Sequence, residues 1–119
     1  GVSYRSDVGD TRYSPVESFY KYIKKLSEKI YLTDPYIKYW EEMDLDIESD
    51  FKKILSKTID LIVISTSHSD YKNSNEFIDL IMNKDRLFIY DTVGLFNKKE
   101  LDTLKSKHIV RVLGRGDII

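Results

Sequence analysis

Residues 59–66 read IDLIVIST, and the run Leu61-Ile62-Val63-Ile64 inside them decides the fold. Branched aliphatic residues in unbroken succession, without polar alternation, suit a strand covered on both faces. The run Leu87-Phe88-Ile89-Tyr90 has the same character, and His108 to Leu113 closes the series. Helical stretches separate them. Asn73 and Glu76 stand three apart ahead of Phe77, Ile78 and Ile81, and Asn97 and Glu100 repeat that capping spacing ahead of Leu101 and Leu104. Strands joined through helices need crossovers, and crossovers make parallel neighbours.

The pattern continues toward the N-terminus. Ser14-Pro15-Val16-Glu17 combines a cap, a proline suited to the first helical position and a capping-box glutamate. Val16, Phe19, Ile23 and Leu26 follow at helical spacing, with Lys24, Lys25 and Lys29 near the end, where they complement the helix dipole. Ile30-Tyr31-Leu32 reads as a short strand stopped by Asp34-Pro35. Residues 36–48 are aromatic and acidic without a clean period, and read as a loop with some helical turn. Asp50 to Ser56 reads as a short helix with Phe51, Ile54 and Leu55 inward. The opening GVSY reads as the end of a strand. The expected order is therefore β-α-β-(α)-β-α-β-α-β: an α/β, three-layer Rossmann-like domain, with a parallel sheet of about five strands flanked by helices. The abrupt opening and the finish at GRGDII predict one domain over residues 1–119, cut from a longer protein.

The totals fit a soluble globular domain. The chain has 119 residues, 41% of them apolar and 33% charged, a net charge of −1 and no cysteine. Nothing in that balance favours nucleic acid. No apolar run approaches the ~20 residues that span a bilayer. Disulfides, thiolate metal sites and a thiol nucleophile are excluded within this chain. With no secretory signature, a cytoplasmic location is expected.

In open parallel sheets, ligands gather beyond the carboxyl ends of the strands. Here those ends are Tyr4-Arg5, Asp34, Ser65 to Ser69, Asp91 to Gly94 and Gly114 to Gly116. The first connection holds Arg5, Asp7, Asp10 and Arg12. It is either a solvated charged loop or an anion site, in which forked guanidinium donors and helix-start N–H groups meet phosphate and Asp10 orients Arg12. Neither glycine-rich nucleotide fingerprint is present. Arg115-Gly116-Asp117 is a coincidental tripeptide. His68 is either a polar loop cap or a general base or ligand, while His108 opens a strand. A triad of Ser67, His68 and Asp70 is rejected, because sequence neighbours rarely reach that geometry and no nucleophile elbow is present. Asp91-Thr92-Val93-Gly94 is either a tight turn or a backbone approach to a ligand. Tyr36, Tyr39 and Trp40 divide between core and interface.

Several of these segments fall into one known order. GVSYRSDVGDTRYSP at residues 1–15 resembles the Gly-x-x-Tyr/Phe-Lys-x-x-x-x-Asp-x-Arg-x-Ser-Pro opening of the C-terminal, UDP-binding domain of UDP-glucose/GDP-mannose dehydrogenases. LTDPY, DLIVISTSHSDYK, FIYDTVGLF and VRVLGRG follow in the family's order, so the resemblance covers essentially the whole chain. It implies a parent enzyme that oxidises C6 of a UDP-sugar to a uronic acid with two NAD⁺. In that parent, an N-terminal Rossmann domain holds NAD, a cysteine and a lysine outside this chain do the chemistry, and a central helix makes an oligomer. The present domain would close over the UDP moiety, with no catalytic residue and no metal of its own. By the same resemblance, Tyr4 and Arg5 stand at the nucleotide-sugar contact, with arginine in place of the usual lysine. Arg12 stands where an arginine reaches NAD. Asp91-Thr92-Val93-Gly94 departs from the Asp-Gly-Arg-Asn of UDP-glucose enzymes and resembles the branch acting on UDP-N-acetylmannosamine. Two other classes compete: a stand-alone flavodoxin-like binding or signalling domain with Mg²⁺ at Asp34 and Asp91, and a structural docking domain built on residues 36–40.

Overall fold

A computed structural model describes residues 1–27 and 29–114. In chain order the elements are α1 (Val16–Ile23), β1 (Tyr39–Trp40), a 3-10 turn (Glu41–Met43), β2 (Leu45–Asp46), α2 (Phe51–Leu55), β3 (Leu61–Ile64), α3 (Asn75–Met82), β4 (Phe88–Asp91), α4 (Lys98–Lys105) and β5 (Ile109–Val112). The apolar runs at residues 59–66, 87–90 and 108–113 become β3, β4 and β5, in that spatial order and parallel throughout.

The register aligns Ile62, Ile89 and Val110 in one row and Ile64, Asp91 and Val112 in another on the same face. That face packs against Phe77, Ile78 and Ile81 of α3 and Leu101 and Leu104 of α4, forming the larger core. On the opposite face Leu61 and Phe88 are about half exposed. A smaller second core gathers Val2, Val16, Tyr20, Ile37, Trp40 and Ile47 around the N-terminal half. Trp40 is fully buried there, edge-on to Tyr20. Tyr36 and Tyr39 stay exposed, so the three aromatics do not form one patch.

Five strands are present, but only three form the parallel sheet among the described residues. The other two form an antiparallel pair within residues 36–48, the segment read as a loop. Residues 30–32 do not form a ladder strand; their neighbourhood holds a single parallel bridge, Thr33 to Glu48.

The caps differ in detail from the expected ones. Asn97 and Glu100 make the full capping box on α4. On α3 the cap is Ser74, whose hydroxyl accepts the Phe77 N–H. Asn73 instead takes a left-handed turn, at φ 51°, and meets Asn97. The rule chose asparagine where serine one residue later has the right backbone angle. On α1 the Ser14 hydroxyl accepts the Val16 N–H, whereas Glu17 lies 3.9 Å from Lys21 and completes no capping box. That helix ends at Ile23, so Leu26 lies beyond it.

Leu104 has no exposed surface and joins α4 to the sheet. Truncating it leaves a cavity that a packed core cannot fully close. Leu104→Ala is expected to cost about 2–5 kcal/mol in urea unfolding. A loss under about 1 kcal/mol would place Leu104 outside the cooperative core.

Candidate functional site

The N-terminal segment, the turn at Tyr36 and the loop after β3 meet around one buried carboxylate. Asp34 follows residues 30–33 directly and has no exposed surface. Its Oδ2 accepts the backbone N–H of Val2 (2.9 Å) and Ser3 (3.0 Å), the Ser3 hydroxyl (2.9 Å) and the ring of His68 (3.0 Å). Its Oδ1 accepts the Tyr36 N–H at 2.9 Å. Burial pushes this carboxyl up, but the Tyr36 N–H, His68 and the Val2 N–H outweigh it and hold the group below its ordinary range.

His68 is equally buried. The Asp7 N–H lies 2.8 Å from its Nδ1. An amide N–H can only donate, so Nδ1 is the acceptor and the ring proton sits on Nε2, facing Asp34. The imidazole therefore ties the loop before α1 to the buried carboxylate. The Tyr36 ring covers it at 4.9 Å between centroids. His108 is also buried: its Nδ1 accepts the Leu87 N–H, and its Nε2 donates to the Ile81 carbonyl ahead of β5.

Asp7 adds a second tie. Its carboxylate accepts the Ser69 N–H (2.7 Å) and hydroxyl (2.5 Å), bonds that hold it below its ordinary pKa. Ser6 and Ser67 share a hydroxyl bond of 2.6 Å beside it. Asp7 takes a left-handed angle, φ 60°, which an aspartate tolerates better than most residues. The loop also closes on itself through the Tyr4 N–H and the Asp10 carbonyl, 2.6 Å apart. Gly9 is required by close approach, since a Cβ there would come within 2.6 Å of the Tyr36 carbonyl oxygen.

On this pinned loop the two arginines stand exposed. Arg12 forks onto Asp10 through Nε (3.0 Å) and Nη2 (2.9 Å), and its own N–H bonds the same carboxylate. Those bonds hold the Asp10 carboxyl down to about 2, with Arg5 adding a weaker pull. The Asp10 carboxylate thus feels both guanidiniums. Nη1 of Arg12 has no hydrogen-bond partner among the described residues. Arg12 lines a shallow hollow of about 290 Å³ with Tyr36, Lys38, Tyr39 and Glu42. Arg5 lies outside that hollow and stacks over the Tyr4 ring at 5.7 Å. The loop therefore holds two exposed cations, and only Arg12 lines the hollow.

Asp91 is used structurally. Fully buried, it accepts the N–H groups of Val93 (3.1 Å) and Phe96 (3.2 Å) and shapes the turn in which Gly94 sits at φ 67°. Val93 is exposed at that turn. Asp34 and Asp91 both spend their oxygens on N–H and O–H donors, which speaks against a shared Mg²⁺ pocket. No cluster of three or more metal-ligating side chains is present among the described residues. No helix among them is long and apolar enough to cross a membrane. The Arg115-Gly116-Asp117 tripeptide, and the glycine-rich end of the last strand beyond Gly114, lie outside the described residues.

A family model for the UDP-glucose/GDP-mannose dehydrogenase family, UDP binding domain, matches residues 1–98. The chain belongs to this family. The curated proteins similar to this UDP-binding domain include a UDP-N-acetyl-D-mannosamine dehydrogenase of Methanocaldococcus jannaschii, 33% identical over 98% of this chain and 26% of that protein. A protein of the same name from Methanococcus aeolicus is 32% identical over 61% of this chain and 16% of its own length. The chain thus spans about a quarter of the first relative's length. No solved structure matches it significantly.

The sequence places Asp34 and His68 at strand ends and Asp7 in the first connection, but does not join them. The available signal was an aspartate and a histidine, each just past an apolar strand end, where a buried polar group must find a partner. Because the Asp34 pKa is lowered in the folded state, its contribution is complete above the unfolded value of about 3.9 and is lost as pH falls through the folded value. Asp34→Asn keeps the shape but turns an amide donor toward N–H groups. It should cost about 3 kcal/mol or more at pH 7 and flatten the loss of thermal stability below pH 4. Parallel melting curves of the two proteins from pH 7 to pH 3 check this, and identical curves would contradict it.

Proposed function

We propose that this chain is the closing, nucleotide-binding domain of an NAD-dependent UDP-sugar 6-dehydrogenase. The parent oxidises C6 to a uronic acid in the cytoplasm, with UDP-N-acetyl-D-mannosamine or a related UDP-sugar as substrate. Family membership and the two relatives' names support this reading. The observation that carries it is the loop before α1: pinned at Asp7 by His68 and Ser69, it carries Arg5 and Arg12, both of which act on the Asp10 carboxylate. Fixed guanidiniums beside a helix start suit a diphosphate, which takes forked, charge-assisted bonds.

Tyr4 and Arg5 hold the nucleotide sugar in this reading: Tyr4 supplies an exposed ring and Arg5 the charge above it. Arg12 faces the NAD-binding domain of the same polypeptide. With Nε and Nη2 engaged by Asp10, its Nη1 edge suits a cofactor phosphate brought across the cleft. When bound, NAD⁺ supplies the hydride acceptor. The present chain binds and orients; it contributes no catalytic side chain and is inactive alone. Parent enzymes of this kind close domain against domain and assemble as homo-oligomers.

Calorimetric titration with UDP tests the reading. Saturable binding by the chain is expected, weakened about tenfold or more by Arg5→Ala, with an unchanged melting temperature because the side chain is exposed. Absence of UDP binding, or equal affinity in Arg5→Ala, would overturn the assignment of Arg5.

A further inference from the structure

One nitrogen of the buried His68 ring faces two groups of the same residue. Nδ1 accepts the Asp7 N–H at 2.8 Å, and Oδ1 of the Asp7 carboxylate stands 3.9 Å from that nitrogen. The first contact is a hydrogen bond; the second is too long to be one. Asp7 is thus placed to offer Nδ1 a donor in one arrangement and an acceptor in another. The second ring nitrogen is already committed, since Nε2 donates to Asp34 at 3.0 Å.

The proton state of Nδ1 decides between the two arrangements. A neutral ring with its proton on Nε2 leaves Nδ1 able to accept, which is the bonding observed. An imidazolium carries a proton on both nitrogens. Its Nδ1–H would face the Asp7 N–H, donor against donor, on a ring with no exposed surface. A buried donor left without a partner is costly. The Asp7 carboxylate is the acceptor at hand, and reaching it takes a movement of about 1 Å, from 3.9 Å to hydrogen-bond length. That carboxylate also holds the Ser69 N–H and hydroxyl, so the movement strains the loop after β3 together with the loop before α1. Asp7 sits at φ 60°, a backbone state that persists only while the bonds around it hold.

The groups set against the ring single out the imidazole. Asp34, despite burial, is held below its ordinary range by the Tyr36 N–H and His68, and Asp7 is held down by the Ser69 hydroxyl and N–H. Both stay ionised through the range of about pH 5 to 8 in which imidazoles titrate. The Tyr36 and Tyr71 rings pack at 4.9 and 5.9 Å between centroids. Both phenols are pushed up, Tyr36 by Asp70 beside its hydroxyl and Tyr71 by burial, with Asp70 adding to it. Of the groups in contact with one another here, the imidazole alone belongs to a class that changes charge in that range.

We propose that His68 is a proton-operated latch on the loop before α1. Neutral, it holds the Asp7 backbone; protonated, it releases the Asp7 N–H, takes the Asp7 carboxylate and shifts the loop that bears Arg5. A further consequence rests on the nucleotide-binding reading, although the latch itself does not. A nucleotide that needs the latched loop and a proton on His68 oppose one another, each weakening the other by the same factor. Nucleotide affinity then falls as the solution becomes more acidic.

Nuclear magnetic resonance of the ¹⁵N,¹³C-labelled 119-residue chain tests the latch with no nucleotide present, so its failure leaves the UDP assignment standing. The chain is titrated from about pH 8 to about pH 5. The His68 ring shifts report protonation, and the backbone amides of Asp7 and Ser69 report the latch. His108, the other histidine, is the internal reference, because its Nδ1 holds the Leu87 N–H ahead of β4. The Asp7 and Ser69 amides are expected to shift with the midpoint of the His68 ring and not with that of His108. The protection factor of the Asp7 amide is expected to fall about tenfold or more at the acid end. Amides that stay in place while the His68 ring takes up its proton overturn the proposal. So do amides that follow a different midpoint, and so does a His68 ring that remains neutral until the whole chain unfolds.

Discussion

The charged loop before α1 hangs from one buried carboxylate. An ionised aspartate without exposed surface costs several kcal/mol unless its oxygens are fully bonded. Asp34 meets that condition only by gathering the N-terminal segment, the turn at Tyr36 and the loop after β3 around itself. The same bonds that hold the carboxylate ionised therefore fix the relative positions of three chain segments far apart in sequence. His68 carries the constraint one step further, since its second nitrogen holds the Asp7 N–H. The loop bearing Arg5 and Arg12 inherits its place from Asp34 through that ring.

This arrangement separates positioning from recognition. The residues that set the loop are buried and use their polar atoms internally. The residues suited to meet a diphosphate are exposed, and Arg12 is steered by Asp10 rather than by the core. Preorganisation of this kind lowers the ordering cost of binding. It also explains the abundance of charge in a short stretch: the two aspartates have different tasks, Asp7 to anchor the loop and Asp10 to aim a guanidinium.

The parallel strands were legible because their apolar runs have no competing period, and the Asn97 box because both of its side chains are local. Segments whose structure depends on distant partners were not. Residues 39–46 pair with each other around a fully buried Trp40, and nothing in their mixed aromatic and acidic order announces a hairpin. Residues 30–32 read as a strand, yet among the described residues this segment meets a bridge partner only next door, at Thr33 with Glu48. At the site, composition marked the charged loop and the histidine. The bonds between Asp7, His68 and Asp34 span more than thirty residues each, and spacing along the chain carries no trace of them. The family pattern gave the order of the motifs; the geometry adds that the first three of them converge on Asp34.

The protonation pattern of His68 tests this account most directly. Two-bond nitrogen–proton correlation spectra of the ¹⁵N-labelled chain at pH 7.5 distinguish the ring tautomers. The account predicts a single Nε2–H tautomer, with an unprotonated Nδ1 and an Nε2 proton protected from exchange with water. An Nδ1–H form, or a ring averaging between tautomers, would contradict it, because the Asp7 amide would then have no acceptor and the loop no tie to Asp34.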